Sequence, residues 1–140
     1  MEAGLTVLFH SSNCSRQNFF SRTSAARAKR PDIEFVQADV TALPFFDGAF
    51  GGAMCTLAIH HFTELQRSFS EIARVLAPGA RFVVFTSTPE QMRNYWLNAY
   101  FPEALRKSAE QMPPPLRLAT MLRKAGLIVE STEPWSIPPD

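Results

Sequence analysis

Asp39 stands where an apolar run, Phe35-Val-Gln-Ala38, gives way to a loop. A lone carboxylate at the carboxyl end of a strand can accept hydrogen bonds from the donor edge of a ligand. The competing role for Asp39 is a helix N-cap or turn residue, because Thr41 to Asp47 is rich in turn formers. A second group follows the apolar run Ala53–Ile59: Thr56 and Leu57 at its exit, then His60 and His61. One of these histidines could act as a general base toward a substrate hydroxyl near neutral pH. The alternative is that one packs on the next helix and the other meets solvent or backbone. Adjacent histidines point in different directions, and no third His, Cys or acid has ligand spacing nearby, so the pair predicts no metal site. Tyr95, Trp96, Tyr100 and Phe101 recur at helical spacing, a pattern that usually belongs to a core; a surface covering the substrate is the other reading. Cys55 lies inside an apolar run and reads as a small buried hydrophobe. Neither a Ser-His-Asp or Cys-His arrangement in motif context nor a P-loop is present.

The elements that must position these groups follow from periodicity and punctuation. Residues 10–24 are polar and irregular. A helix over Ser21–Lys29 is ended by Pro31, and a strand spans Ile33–Ala38. Ala53–Ile59 is a buried strand with its exit. Thr63 and Gln66 have capping-box spacing ahead of a stripe of Leu65, Phe69, Ile72 and Leu76, and Pro78-Gly79 should stop that helix. Phe82-Val-Val-Phe85 is apolar on both faces, as in an interior strand covered by helices on each side. Thr88-Pro-Glu-Gln91 is a second capping box with proline at the first helical position. It opens a helix carrying Met92, Tyr95, Trp96 and Ala99, which Pro102 breaks; a shorter helix then runs to Gln111. Pro113–Pro115 is a rigid connector. Leu116–Ala125 is a helix with Gly126 just beyond it, Leu127–Thr132 a last strand, and Pro134–Asp140 a loop. Alternating strands and helices predict an α/β fold: a doubly wound, mostly parallel sheet with helices on both faces. Its strand ends, Asp39, Thr56–His61 and Thr86–Thr88, should line one crevice.

Size and composition narrow the field. The chain has 140 residues, 46% of them apolar, and a net charge of +1. That suits one domain with an ordinary core and gives no general attraction to nucleic acid or anionic membrane. Arg22, Arg27, Lys29 and Arg30 form one local basic cluster, best read as a solvated helix end. Cys14 and Cys55 make neither a disulfide framework nor a metal motif, which points to a reducing, cytoplasmic compartment. No apolar run approaches the ~20 residues of a membrane span, and the N-terminus lacks the pattern of a secretory signal.

Three blocks carry a family resemblance. They are Glu34-Phe-Val-Gln-Ala-Asp-Val-Thr-Ala-Leu-Pro-Phe45 with Asp47-Gly-Ala-Phe50, then Ala58-Ile-His-His-Phe62, then Glu71-Ile-Ala-Arg-Val-Leu-Ala-Pro-Gly-Ala-Arg-Phe82. Over about Ala25 to Glu133 the chain resembles the class I S-adenosylmethionine-dependent methyltransferases, in the branch typified by quinone-biosynthesis enzymes. The resemblance implies a Rossmann-like fold and methyl transfer from S-adenosylmethionine to a small-molecule nucleophile. It implies that Asp39 accepts from the adenine amino group and that the Val40 backbone meets the ring. Thr56 and Leu57 would pass beneath the methionine part, and Tyr95, Trp96, Tyr100 and Phe101 would lie in the segment that covers the substrate.

The chain departs from the family pattern in its first thirty residues. No G-x-G follows the first apolar run, where the family brings backbone close to the cofactor. No acid lies between Glu2 and Asp32, although the family holds the ribose with one near the position of Gln17. The expected organisation is therefore residues 1–20 as an irregular or degenerate first-strand region and 21–140 as the methyltransferase-like domain. The glycine-loop βα unit and the last strand would be missing or degenerate, as in a truncated or disrupted gene. This predicts weak or no cofactor binding. The alternative is a non-catalytic remnant or interaction module that keeps the fold but has lost cofactor binding. A nucleotide-binding oxidoreductase is disfavoured, since it too needs a glycine fingerprint. If Leu5–Phe9 fills the first-strand slot, Ile33–Ala38 should pair directly beside it.

Overall fold

The structure, a computed structural model of the chain, describes residues 6–9 and 24–135. In chain order the elements are β1 (Thr6–Phe9), α1 (24–29), β2 (Glu34–Gln37), β3 (Phe50–Thr56), a 3-10 turn (Ile59–His61), α2 (Leu65–Val75), β4 (Leu76–Phe85), α3 (Pro89–Arg93), a second 3-10 turn (Trp96–Ala99), α4 (Pro102–Gln111) and α5 (Pro115–Lys124). The fold is α/β with parallel pairing, small and incomplete. β1 runs parallel to β2 with Thr6 opposite Glu34 and Phe9 opposite Gln37, the direct pairing expected if β1 fills the first-strand slot. β3 runs parallel to β4, with Gly52 opposite Arg81 and Thr56 opposite Phe85. Among the described residues these are two separate two-stranded sheets.

The core explains which face of β3 and β4 is covered. Val40, Leu43, Cys55, Ile59, Phe69, Ile72, Val75 and Leu76 form one buried cluster, with Phe82 and Val84 from β4 and Leu118, Met121 and Leu122 from α5 packed against it. Side chains alternate along a strand, so Met54 and Val83 point the other way and are 73% and 54% exposed. Among the described residues Phe82–Phe85 is thus covered on one face, not on both as its sequence suggests.

α2 buries the expected stripe, but its ends differ from the sequence reading. The Thr63–Gln66 box does not form. Glu64 is the N-cap, and the Gln66 side chain instead donates to the Met121 carbonyl of α5 at 3.2 Å. The helix ends at Val75, three residues before Pro78, because Leu76 turns extended and pairs with Phe50. Pro78 and Gly79 then fall where the β3–β4 register shifts, with Gly79 at φ +78°.

The second box does form. Thr88 Oγ1 accepts from the Gln91 amide at 3.1 Å and Gln91 Oε1 accepts from the Thr88 amide at 2.8 Å. The helix it opens is nevertheless short. Asn98 Nδ2 donates to the carbonyls of Met92, Arg93 and Tyr95, offering the backbone a partner other than the next helical turn. The long aromatic helix is therefore divided into α3 and a 3-10 turn. At the far end, α5 closes with a Schellman motif: the Leu127 amide donates to Leu122 O, the Gly126 amide to Arg123 O, and Gly126 has φ +88°. The last strand expected over Leu127–Thr132 is absent. Those residues make no ladder, and Ile128 stays exposed. The irregular reading of residues 10–23, the start of the first helix at Ser21, and residues 136–140 lie outside the described residues.

Candidate functional site

β2 ends at Gln37, two residues before Asp39, which leaves that carboxylate exposed at the strand's carboxyl end. Asp39 Oδ1 accepts from both the amide and the hydroxyl of Thr41, each at 2.8 Å, and Asp39 O accepts from the Ala42 amide at 3.0 Å. The turn role proposed for Asp39 is therefore real, and it also fixes the direction of the carboxylate. Val40 turns its side chain into the core. Its backbone is thereby anchored next to the acid.

The loop after Asp39 is gripped from α2, a feature the sequence reading passed over. Glu71 Oε2 accepts the Leu43 amide at 2.9 Å. Arg74 Nη2 donates to Leu43 O at 3.0 Å, and Arg74 Nη1 donates to Phe45 O at 2.8 Å and to Asp47 Oδ1 at 2.7 Å. Glu71 and Arg74 are paired at i,i+3. The Arg74 guanidinium holds the Glu71 carboxyl below its usual range, against the opposing effect of burial, and the Leu43 amide adds a smaller push in the same direction as Arg74. Both residues sit in the third resemblance block. Their spacing signals only an ordinary helix-surface pair, so nothing in the sequence points to the loop they hold.

Thr56 is the last residue of β3 and is exposed. Leu57 follows at φ +48°, the one non-glycine residue with positive φ among those described. Its side chain is half exposed. The β2 and β3 ends share one core, since Val40, Leu43, Cys55 and Ile59 belong to the same cluster. From the third expected segment, Thr88 caps α3 and Thr86 Oγ1 lies 3.6 Å from Met112 Sδ.

His60 and His61 lie on the 3-10 turn with ring centroids 3.9 Å apart and planes tilted by 48°. His60 Nδ1 is buried and has no hydrogen-bond partner among the described residues. Burial, and then the neighbouring His61, push the His60 imidazole below its ordinary pKa. The ring is thus neutral near pH 7, as a base must be, but only its other nitrogen could reach a substrate. Among the described residues no group of three or more His, Cys, Asp or Glu could hold a metal ion.

The remaining candidates divide cleanly. Trp96, Tyr100 and Phe101 are more than 60% exposed, and Tyr95 is 45% exposed. The rings of Tyr95 and Trp96 are 5.8 Å apart, and those of Trp96 and Tyr100 6.2 Å apart. The aromatic stripe is surface, contrary to the core reading. In the basic cluster, Arg27 donates to Phe35 O and Arg30 pairs with Asp32, so these two cations serve the local turn. A shallow depression between α3 and α4, lined by Arg93, Asn98 and Leu105 among others, includes none of the strand-end candidates. No helix among the described residues is long and apolar enough to cross a membrane.

With this geometry in place, known proteins supply the context. A family model described as a methyltransferase domain matches residues 14–84, about half of the chain, and begins upstream of the first motif block at Glu34. A demethylmenaquinone methyltransferase of Thermus thermophilus is 31% identical over 123 residues, covering 74% of this chain and 56% of that protein. The chain thus spans about half the length of the curated relatives it matches. Among solved structures, a [4+2]-cyclase superposes with a TM-score of 0.63 at 24% identity, over 88% of this chain and 42% of the cyclase. An S-adenosylmethionine-dependent methyltransferase of Thermotoga maritima superposes with a TM-score of 0.56 at 22% identity, over 76% of this chain and 51% of its own. The two superpositions support the Rossmann-like fold, and the family match settles the lineage: this chain belongs to the methyltransferase-domain family.

Proposed function

We propose that this domain binds S-adenosylmethionine at the carboxyl ends of β2 and β3 and takes part in methyl transfer to a small-molecule acceptor. The observation that carries the reading is Asp39: an exposed carboxylate at a parallel strand end, oriented by Thr41 and followed by a core-anchored Val40. An acceptor oxygen beside a backbone amide complements the adenine edge, which offers a donor beside an acceptor. Thr56 and Leu57 provide the backbone under the methionine part, and the exposed rings of Tyr95, Trp96, Tyr100 and Phe101 face the acceptor.

The cofactor supplies an activated methyl group whose leaving thioether is neutral, so no general acid is needed. The protein's task is alignment, which can contribute about 7–11 kcal/mol of such a barrier. His60 and His61 are the candidates to take a proton from an acceptor hydroxyl; His60 turns its Nδ1 inward, and His61 is exposed. The acceptor carries an O, N or C nucleophile. The names of the relatives make demethylmenaquinone the first compound to test. A reducing, cytoplasmic setting suits Cys55, a buried free thiol, and a net charge of +1 argues against nucleic acid as acceptor.

A non-catalytic reading, in which the fold is kept and cofactor binding is lost, has one observation in its favour: no G-x-G, the element that brings backbone close to the cofactor, occurs in the sequence. Incubating the chain with methyl-labelled cofactor and demethylmenaquinone separates the two. Label in the quinone supports transfer. No binding of the cofactor, and no label in the quinone, supports the non-catalytic reading.

A further inference from the structure

Arg74 reaches four positions of a single loop. Its guanidinium donates to Leu43 O, Phe45 O and Asp47 Oδ1, and its own carbonyl accepts the Gly48 amide at 2.9 Å. One turn earlier, Glu71 takes the Leu43 amide on Oε2 and meets Arg74 through both carboxylate oxygens. Pro44, between the two gripped carbonyls, has no N–H to offer a sheet. The stretch Leu43–Gly48 therefore rests on side chains of α2 and on the buried Leu43 side chain, with no strand ladder. It continues directly from the Asp39 turn through the bond between the Ala42 amide and Asp39 O.

We propose that Glu71 and Arg74 are positioning residues that set the conformation of the loop from Asp39 to Gly48 and thereby the purine selectivity of the strand-end site. This rests on the reading that Asp39 meets adenine. A guanidinium offers donors in a fixed planar fork, so it can hold two carbonyls and a carboxylate at once; an ammonium carries the same charge without that geometry. Asp39 and Val40 are held at one end by the core and at the other by this fork. Releasing the fork frees the segment that must present an acceptor and a donor side by side.

The test uses the full chain and the variants Arg74→Gln, Arg74→Lys and Glu71→Gln. Titration calorimetry measures affinity for S-adenosylhomocysteine and for its inosine analogue, which lacks the amino group. Hydrogen exchange reports on the amides of Ala42 to Gly48. Wild type should prefer the adenine compound, and Arg74→Gln and Arg74→Lys should both lose most of that preference. Exchange at Leu43 and Gly48 should rise by about tenfold or more, while the amides of β3 and β4 keep their protection. A parallel loss of affinity for both compounds, with the preference intact, would mean a merely structural pair and overturn the proposal; so would unchanged exchange in Arg74→Gln. Should Arg74→Gln fail to fold, Glu71→Gln carries the same comparison, because it keeps the shape and removes the charge. If the wild-type chain binds neither compound, the adenine reading itself fails and purine selectivity with it, and exchange alone then judges the contact between loop and helix.

Discussion

The Leu57 amide donates to the Phe85 carbonyl at 2.7 Å, extending the β3–β4 ladder past its last pair, Thr56 opposite Phe85. The bond is made while Leu57 holds φ +48°, a conformation that leucine seldom adopts. Backbone strain of this kind persists where the surroundings over-determine it and gathers at functional turns. Here it lies where the chain leaves β3 for the histidine turn.

Substitutions at Leu57 should therefore follow backbone preference more than size. Asparagine tolerates the left-handed region, and the side chain is half exposed, so Leu57→Asn should stay within about 1 kcal/mol of wild type. Leu57→Val, β-branched, should lose about 1–3 kcal/mol. Urea unfolding of the two variants measures the difference, and an unperturbed Leu57→Val would remove the strain from this account.

Asp39→Asn separates the two duties of Asp39. Asparagine can keep the turn bonds from Thr41 but loses the charge. Affinity for S-adenosylhomocysteine should fall by about tenfold, in line with the loss of one hydrogen bond to a charged group, while the thermal midpoint barely moves. A variant with wild-type affinity would make Asp39 a turn residue and nothing more.

pH should act on stability in two distinct windows. Burial depresses the His60 pKa in the folded state. The unfolded chain then binds the proton more readily, and stability falls as pH drops below about 6.5. Glu71 is also depressed, chiefly by Arg74. Its contribution is present above the ordinary carboxyl pKa of about 4.3 and is lost as pH falls further, through its folded pKa. Urea unfolding between pH 7.5 and pH 5.5 should show a slope in wild type that flattens in His60→Gln. Glu71→Gln should keep that slope and lose part of the drop seen at lower pH. Equal slopes for wild type and His60→Gln would contradict the buried-imidazole assignment.

Phe69 is fully buried where α2 meets β4, with the Phe82 ring at 6.4 Å and the Phe62 ring at 6.5 Å. Phe69→Ala should cost about 3–5 kcal/mol, a large share of the stability of a domain this size. Phe69→Leu should cost markedly less. A loss below about 1 kcal/mol for the alanine variant, by denaturant unfolding, would mean that the cluster is not the core of the fold.

Period and local punctuation were legible in the sequence, and competition between distant partners was not. The α2 stripe, the Thr88–Gln91 box and the Gly126 cap could all be read, because each depends on residues close in sequence or on a simple repeat; the β1–β2 pairing followed only from the strand order that the resemblance implies. The Thr63–Gln66 box failed because Gln66 found a carbonyl on α5, 55 residues away. The Pro78 stop failed because strand pairing captured Leu76 first. The aromatic helix failed through Asn98, whose amide takes three carbonyls and ends the turn. At the candidate site, Asp39 and the histidines stood out by residue type. Glu71 and Arg74 did not, since their partners lie about 30 residues upstream and are mostly backbone.

Titration of the wild-type chain with S-adenosylhomocysteine, beside Asp39→Ala, tests the central claim most directly. The absence of a G-x-G loop sets the expectation of weak affinity, and the Asp39 geometry sets the expectation of a real site. The account predicts weak but saturable one-to-one binding in wild type and a loss of about tenfold or more in Asp39→Ala. No binding in wild type, or equal binding by the two chains, would contradict it.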